Sequence, residues 1–155
     1  MSWTNTAVIQ APAATVWNIV SDVTSWPDFL PTMQRVTRVD QGPLRLGSSA
    51  MVKQPLQRSA LWTVTDYEPN TSFVWESHRK NITMTGIHIV KDLGHCCENT
   101  LCLEVKGTGA RFAKTTMGFM FQRVLVSESK AFARYALQRK AITDGDITER
   151  DWKRG

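Results

Sequence analysis

The chain has 155 residues, 42% hydrophobic and 21% charged, a balance that suits one ordinary globular domain and excludes a disordered or fibrous chain. No run of about 18 or more apolar residues occurs, so no membrane-spanning helix is expected. The opening MSWTNTAVIQAPAATVW has no basic region ahead of an apolar run, so no secretory signal is expected.

The net charge of +5 is uneven: residues 1–105 carry 8 Lys and Arg against 9 Asp and Glu, net −1, while residues 106–155 carry 11 against 5, net +6. Such an excess marks either the solvated back of an amphipathic helix or a surface for an acidic partner or an anionic membrane. A binding partner of the nucleic-acid class is not expected.

The first predicted element is a short strand near Trp3–Gln10, broken by Ala11-Pro12. Pro12 suits the start of a helix, and Ala13, Val16, Trp17 and Val20 follow at helical spacing. Ser25 to Pro31 is a Pro-bracketed aromatic turn or short second helix. Six strand-like segments come next: Met33–Asp40, Gly47–Gln54, Ser59–Tyr67, Phe73–Arg79, Ile82–Lys91 and Thr100–Lys106. Turn signals separate them, so hairpin pairing and an antiparallel sheet are predicted. Gly107-Thr108-Gly109 leads into a helix over about Arg111–Ile142, roughly 45 Å long. Its predicted apolar face is Ala113, Met117, Met120, Phe121, Val124, Ala131, Phe132 and Tyr135. The expected organisation is one domain over 1–143 and a charged tail over 144–155.

Strands followed by one long helix make an α+β layout. A helix that long must lie across something wide, and a bent antiparallel sheet is the natural partner. Alternation along each strand gives the faces turned toward that helix. They carry Val52 and Gln54; Trp62 and Val64; Phe73, Trp75 and Ser77; Met84, Gly86 and His88; Leu101 and Leu103. With Met117, Met120, Phe121 and Val124 from the helix, and Trp26 and Phe29 at an expected rim, they form a greasy lining with sparse polar points. Small-molecule sites have that character.

Two ionisable residues are candidates for proton transfer. His88 titrates nearest neutral pH, or is a structural histidine between sheet and helix. Glu128 falls beside the helix's apolar stripe, where desolvation raises a carboxyl pKa, or it pairs at the stripe's edge with Arg35, Arg79 or Lys91. Cys96, Cys97 and Cys102 are odd in number and include no C-x-x-C, so neither a disulfide framework nor a zinc site is expected. His95-Cys96-Cys97 reads as a hairpin tip, and the thiols as those of a reduced, cytoplasmic protein. No metal and no cofactor is predicted.

In their order, several segments resemble the START-like (SRPBCC) superfamily and its polyketide cyclase/dehydrase branch. They are APAATVWNIVSDVTSWPDFLPTMQRV, LGSSAMVKQP, LWTVTDYEPNTSFVWES, GIHIVKDL, NTLCLEVKGTG and SESKAFARYALQRKA. The similarity covers about residues 5 to 142. It implies a helix-grip fold: a strongly bent antiparallel sheet of about seven strands around a long C-terminal helix, with a short helix pair after the first strand and a cavity between sheet and helix. The superfamily includes ligand carriers, sterol or quinone binders, aromatic cyclases, dehydratases and chaperone co-factors, and fold does not choose among them. Three functions are therefore carried forward. One is a binding protein for a polyketide-, lipid- or quinone-like molecule; another is a cyclase or dehydratase using His88 or Glu128; the third is a chaperone-like or membrane-surface protein. A homodimer is compatible with each.

Overall fold

A computed structural model describes residues 1–145. Within them the elements run β1 (Ser2–Ile9), α1 (Ala13–Ser21), a 3₁₀ helix (Val23–Asp28), β2 (Arg35–Arg38), β3 (Ser49–Lys53), β4 (Ala60–Glu68), β5 (Ser72–Arg79), β6 (Ile82–Asp92), β7 (Cys97–Lys106) and α2 (Ala110–Asp144). The seven strands form one antiparallel sheet in the order β1-β7-β6-β5-β4-β3-β2. All connections from β2 to β7 join neighbours, while β1 closes onto β7 at the far end. This is the helix-grip α+β architecture.

Local chemistry explains the segments before the sheet meander. Pro12 precedes α1 at the N-cap position, and Val16, Trp17 and Val20 bury one face of that helix. The hydroxyls of Thr24 and Ser25 donate to the Asp22 carboxylate at 2.9 and 2.6 Å. This fixes the entry to the 3₁₀ helix, whose Trp26 drops into the concave face of the sheet with 1% of its surface exposed. Its ring lies within 5.1–6.4 Å of Phe73, Trp75, His88 and Phe132.

Two strand ends differ from expectation for identifiable reasons. β2 is Arg35–Arg38, not Met33–Asp40, because Asp40 leaves the ladder to organise the following loop. Its carboxylate accepts from Arg38 at 2.7 Å, the Ser48 hydroxyl at 3.0 Å and the Ser49 N–H at 2.9 Å. Those bonds, Arg38's first, hold the carboxyl far below its usual range. β7 starts at Cys97, not Thr100. Cys97 pairs with Ile9 and Asp92 across the sheet, and Asn99 lies fully buried. Polar Glu98, Asn99 and Thr100 conceal this extension in the sequence. Cys97 is thus part of the strand and not of the hairpin tip; burial first, then Cys96 and Asp92, push its thiol up to about 11.

The β4–β5 register shifts between Val64 and Asp66, a bulge that bends the sheet. Gly107, at φ +114°, lets the turn before α2 approach the β5–β6 turn: a Cβ there would sit 2.3 Å from the Asn81 carbonyl oxygen. α2 has 35 residues, about 52 Å of helix, and Gly145 ends it in the left-handed conformation. Its second half packs Leu125, Ala131, Phe132 and Ala136 into the main core. Its first half joins a smaller cluster of Val105, Ala110, Ala113 and Phe121. Asp144, expected in a charged tail, belongs to the last turn of α2, where Lys140 donates to it at 2.6 Å. The tail beyond Gly145 lies outside the described residues.

Candidate ligand-binding site

At the seam between those two clusters lies a cavity of about 100 Å³. Its walls come from three directions. The sheet contributes Val52, Trp62, Trp75, Met84, Gly86, His88, Leu101, Cys102 and Leu103, and Gln54 follows directly after β3. α2 contributes Met120, Phe121, Val124, Leu125 and Glu128, and Trp26, Met33 and Gln57 complete the enclosure.

The aromatic wall depends on one missing side chain. Gly86 faces Trp75 across the β5–β6 ladder, and a Cβ on Gly86 would stand 2.7 Å from Trp75 Nε1. Without that carbon the Trp75 indole lies against β6, with Trp62 at 5.4 Å and Trp26 edge-on at 5.3 Å. These tilted and edge-on contacts satisfy the ring quadrupoles.

His88 sits on β6 at the inner face, its ring stacked on Phe73 at 4.6 Å and 14°. Burial lowers its pKa to about 3, so the imidazole is neutral at physiological pH. Among the described residues neither His88 Nδ1 nor Trp26 Nε1 has a hydrogen-bond partner. These are two unmet polar atoms on adjoining buried rings.

Glu128 enters from α2 with 6% exposure. Among the described residues no salt bridge reaches it, so the expected pairing with Arg35, Arg79 or Lys91 is not what the structure shows. Its partner is Thr32, whose hydroxyl donates to Oε1 at 2.6 Å. Arg79 instead donates to the Arg58 carbonyl at 3.1 Å. Burial pushes the Glu128 carboxyl up to about 7, against a smaller downward pull from the Thr32 hydrogen bond. A carboxyl poised there exchanges protons readily at neutral pH.

The expected lining is partly reassigned. Trp26 is a buried wall and not a rim residue. Phe29 lies outside the cavity, stacked on Tyr135 at 4.2 Å and 5° in a separate groove with Thr15, Asn18, Asp22 and Arg139. Val64, Phe73 and Ser77 share the inner face but do not reach the void: all three are buried, and Phe73 is covered by Trp26 and His88. Met117 packs into the smaller cluster beside Phe121. Met33, Gln57, Cys102 and Leu125 line the cavity without having been expected. Leu125 had a signal, since it falls between Phe121 and Phe132 at four- and seven-residue steps. Met33, expected as the first residue of a strand, lies instead in the loop before β2, and that loop brings it to the cavity wall.

A curved antiparallel sheet gripping one long helix, with an enclosed aromatic cavity between them, defines a START-like helix-grip protein. The family model described as polyketide cyclase/dehydrase and lipid transport matches residues 2–137, and the chain belongs to that family. No curated protein matches the sequence. Among solved structures, the ZhuI aromatase/cyclase of Streptomyces sp. R1128 is similar at TM-score 0.71 and 17% identity, covering 90% of this chain and 94% of that one. Norcoclaurine synthase of Thalictrum flavum, in complex with dopamine and hydroxybenzaldehyde, gives TM-score 0.70 and 13% identity over 89% and 87% of the two chains. A hypothetical protein of Helicobacter pylori gives TM-score 0.77 and 10% identity over 88% of each. At these identities the likeness is one of fold. No helix among the described residues is long and apolar enough to cross a membrane.

Proposed function

We propose that the chain holds a small hydrophobic molecule, polyketide-, lipid- or quinone-like, in this cavity, with its polar end beside His88 and Glu128. The observation carrying this reading is the wall itself. Trp62, Trp75, Met84, Leu101, Leu103 and Phe121 supply an apolar enclosure, and polar groups are gathered at few points. A cavity of about 100 Å³ is on the scale of a single aromatic ring. A hydroxyl or carbonyl on that ring would supply the hydrogen bonds that the buried polar atoms lack. Calorimetric titration with p-cresol and toluene tests this. The expected result is binding of p-cresol about tenfold tighter than toluene, the worth of one net hydrogen bond. Binding of neither compound overturns the reading.

A second reading, a cyclase or dehydratase, is favoured by Glu128. A buried carboxyl at about 7 can take a proton from the carbon beside a ketone and return one to a departing β-hydroxyl, releasing water and leaving the enone. The ultraviolet absorbance of the enone formed from a β-hydroxy-β-phenyl ketone follows this. Turnover lost in Glu128→Gln, with p-cresol affinity kept, supports catalysis. Equal rates in both proteins reject Glu128 as the catalytic group.

A further inference from the structure

The two oxygens of the Glu128 carboxyl have different surroundings. Oε1 accepts from the Thr32 hydroxyl, and the backbone around Thr32 is tied down. Leu30 to Met33 form a tight turn, closed by the Met33 N–H on the Leu30 carbonyl at 3.1 Å, with Pro31 at the second position that this residue favours. On one side of the turn the Leu30 N–H donates to the Trp26 carbonyl at 2.8 Å; on the other the Gln34 N–H donates to the Lys53 carbonyl at 2.9 Å. A fixed turn therefore aims a hydroxyl at Oε1. Oε2 makes no hydrogen bond among the described residues. It is also not one of the polar atoms sealed from solvent and partner alike, so it meets the cavity that Glu128 lines.

No cation neutralises this carboxyl among the described residues. One turn away on α2 stand Val124, Leu125, Ala131 and Phe132, all uncharged. The other titratable groups of the cavity wall are His88 on β6, which burial keeps neutral, and Cys102 on β7. Lys53, at the end of β3, spends its ammonium on the Gln54 and Gln57 carbonyls, and Arg35 on β2 is exposed. A buried carboxyl without a cation favours its protonated form, in keeping with its rise to about 7. A protonated carboxyl has one O–H donor and one carbonyl acceptor. With Oε1 already accepting from Thr32, the proton belongs on Oε2.

We propose that Glu128 presents an O–H donor on Oε2 to the cavity, that Thr32 is the positioning residue which reserves this oxygen for it, and that the site therefore selects a ligand whose polar end is a carbonyl oxygen, as in an aryl ketone or a quinone. This deepens, and rests on, the cavity-binding reading above. It also gives binding a direction with pH. The donor exists while Glu128 is protonated and is lost as pH rises through its titration. His88 stays neutral throughout that range, so it adds no slope of its own.

Calorimetric titration of the full chain with acetophenone and with cumene, its hydrocarbon isostere, tests this. Acetophenone should bind about tenfold tighter at about pH 5.5 than at about pH 8.5, the worth of one hydrogen bond, while cumene binds alike at both. In Glu128→Gln the amide donates at every pH, so acetophenone should bind about as tightly at the higher pH as at the lower. Thr32→Val removes the hydrogen bond that pulls the carboxyl down, so the midpoint of the acetophenone profile should move upward. Unchanged cumene affinity shows that each variant keeps its cavity. Acetophenone binding no tighter than cumene, a pH profile that is flat in the unaltered chain or persists in Glu128→Gln, or a midpoint unmoved in Thr32→Val overturns the proposal. In each of those cases cumene or p-cresol still binds and the cavity function stands. Failure of cumene, acetophenone and p-cresol alike overturns both.

Discussion

Thr32 and Glu128 stand 96 residues apart in sequence and 2.6 Å apart in space. Their hydrogen bond joins the loop before β2 to the middle of α2 and gives a buried carboxyl a polar partner. Across the same cavity His88 has none at Nδ1. The two ionisable residues of the wall therefore answer to pH in opposite senses.

Glu128 is raised from 4.5 to about 7 by burial, so the folded chain holds a proton that the unfolded chain has released. Between these values stability falls as pH rises. His88 is lowered from 6.5 to about 3 by burial, so the unfolded chain holds the extra proton and stability falls as pH drops through that range. From pH 4.5 to 6.5 the two effects oppose each other and nearly cancel. Each substitution should unmask the other: Glu128→Gln loses about 1.4 kcal/mol per unit of acidification in this window, and His88→Gln gains about as much. Urea unfolding at several pH values measures both slopes. Parallel, flat profiles for both variants would show that neither residue is buried as described.

Gly86→Ala should be costly for its size. The added methyl meets the Trp75 ring at 2.7 Å, and the indole can yield only by moving toward the void or against its neighbours. A loss of about 1–3 kcal/mol is expected, together with weakened p-cresol binding and an altered tryptophan emission spectrum. An unchanged melting temperature would contradict the tight β5–β6 packing.

Phe29 and Trp62 offer a paired comparison. Phe29→Leu removes the stack on Tyr135 at 4.2 Å outside the cavity, so it should reduce stability by about 1 kcal/mol and leave p-cresol affinity intact. Trp62→Leu removes a wall and should weaken that affinity. The opposite pattern would move the site to the Phe29 groove.

The sequence makes some parts of this arrangement legible and others not. Strand alternation correctly assigns Trp62, Trp75, Met84, His88, Leu101 and Leu103 to the inner face, because a period of two is local information. It cannot give depth along the strand. Phe73 shares the face of Trp75, yet Trp26 and His88 cover it. The helix stripe gives Phe121 and Val124 but not the Thr32 contact of Glu128, which depends on how a loop with no periodicity returns to the sheet. Trp26 looked like a rim residue because its Pro-flanked turn resembles a surface loop. The hydroxyls that cap Asp22 turn that segment inward instead.

The division of α2 between two clusters has an energetic consequence. Phe132 and Ala136 anchor the second half in the main core with Trp26, whereas the first half rests on the four buried residues of the smaller cluster, Val105, Ala110, Ala113 and Phe121. Sub-global opening follows the least buried contacts, so amide hydrogens before Val124 should exchange through a cheaper fluctuation than those after it. A ligand too bulky for the closed enclosure then enters and leaves at the rate of that partial unzipping, while most of the sheet remains protected.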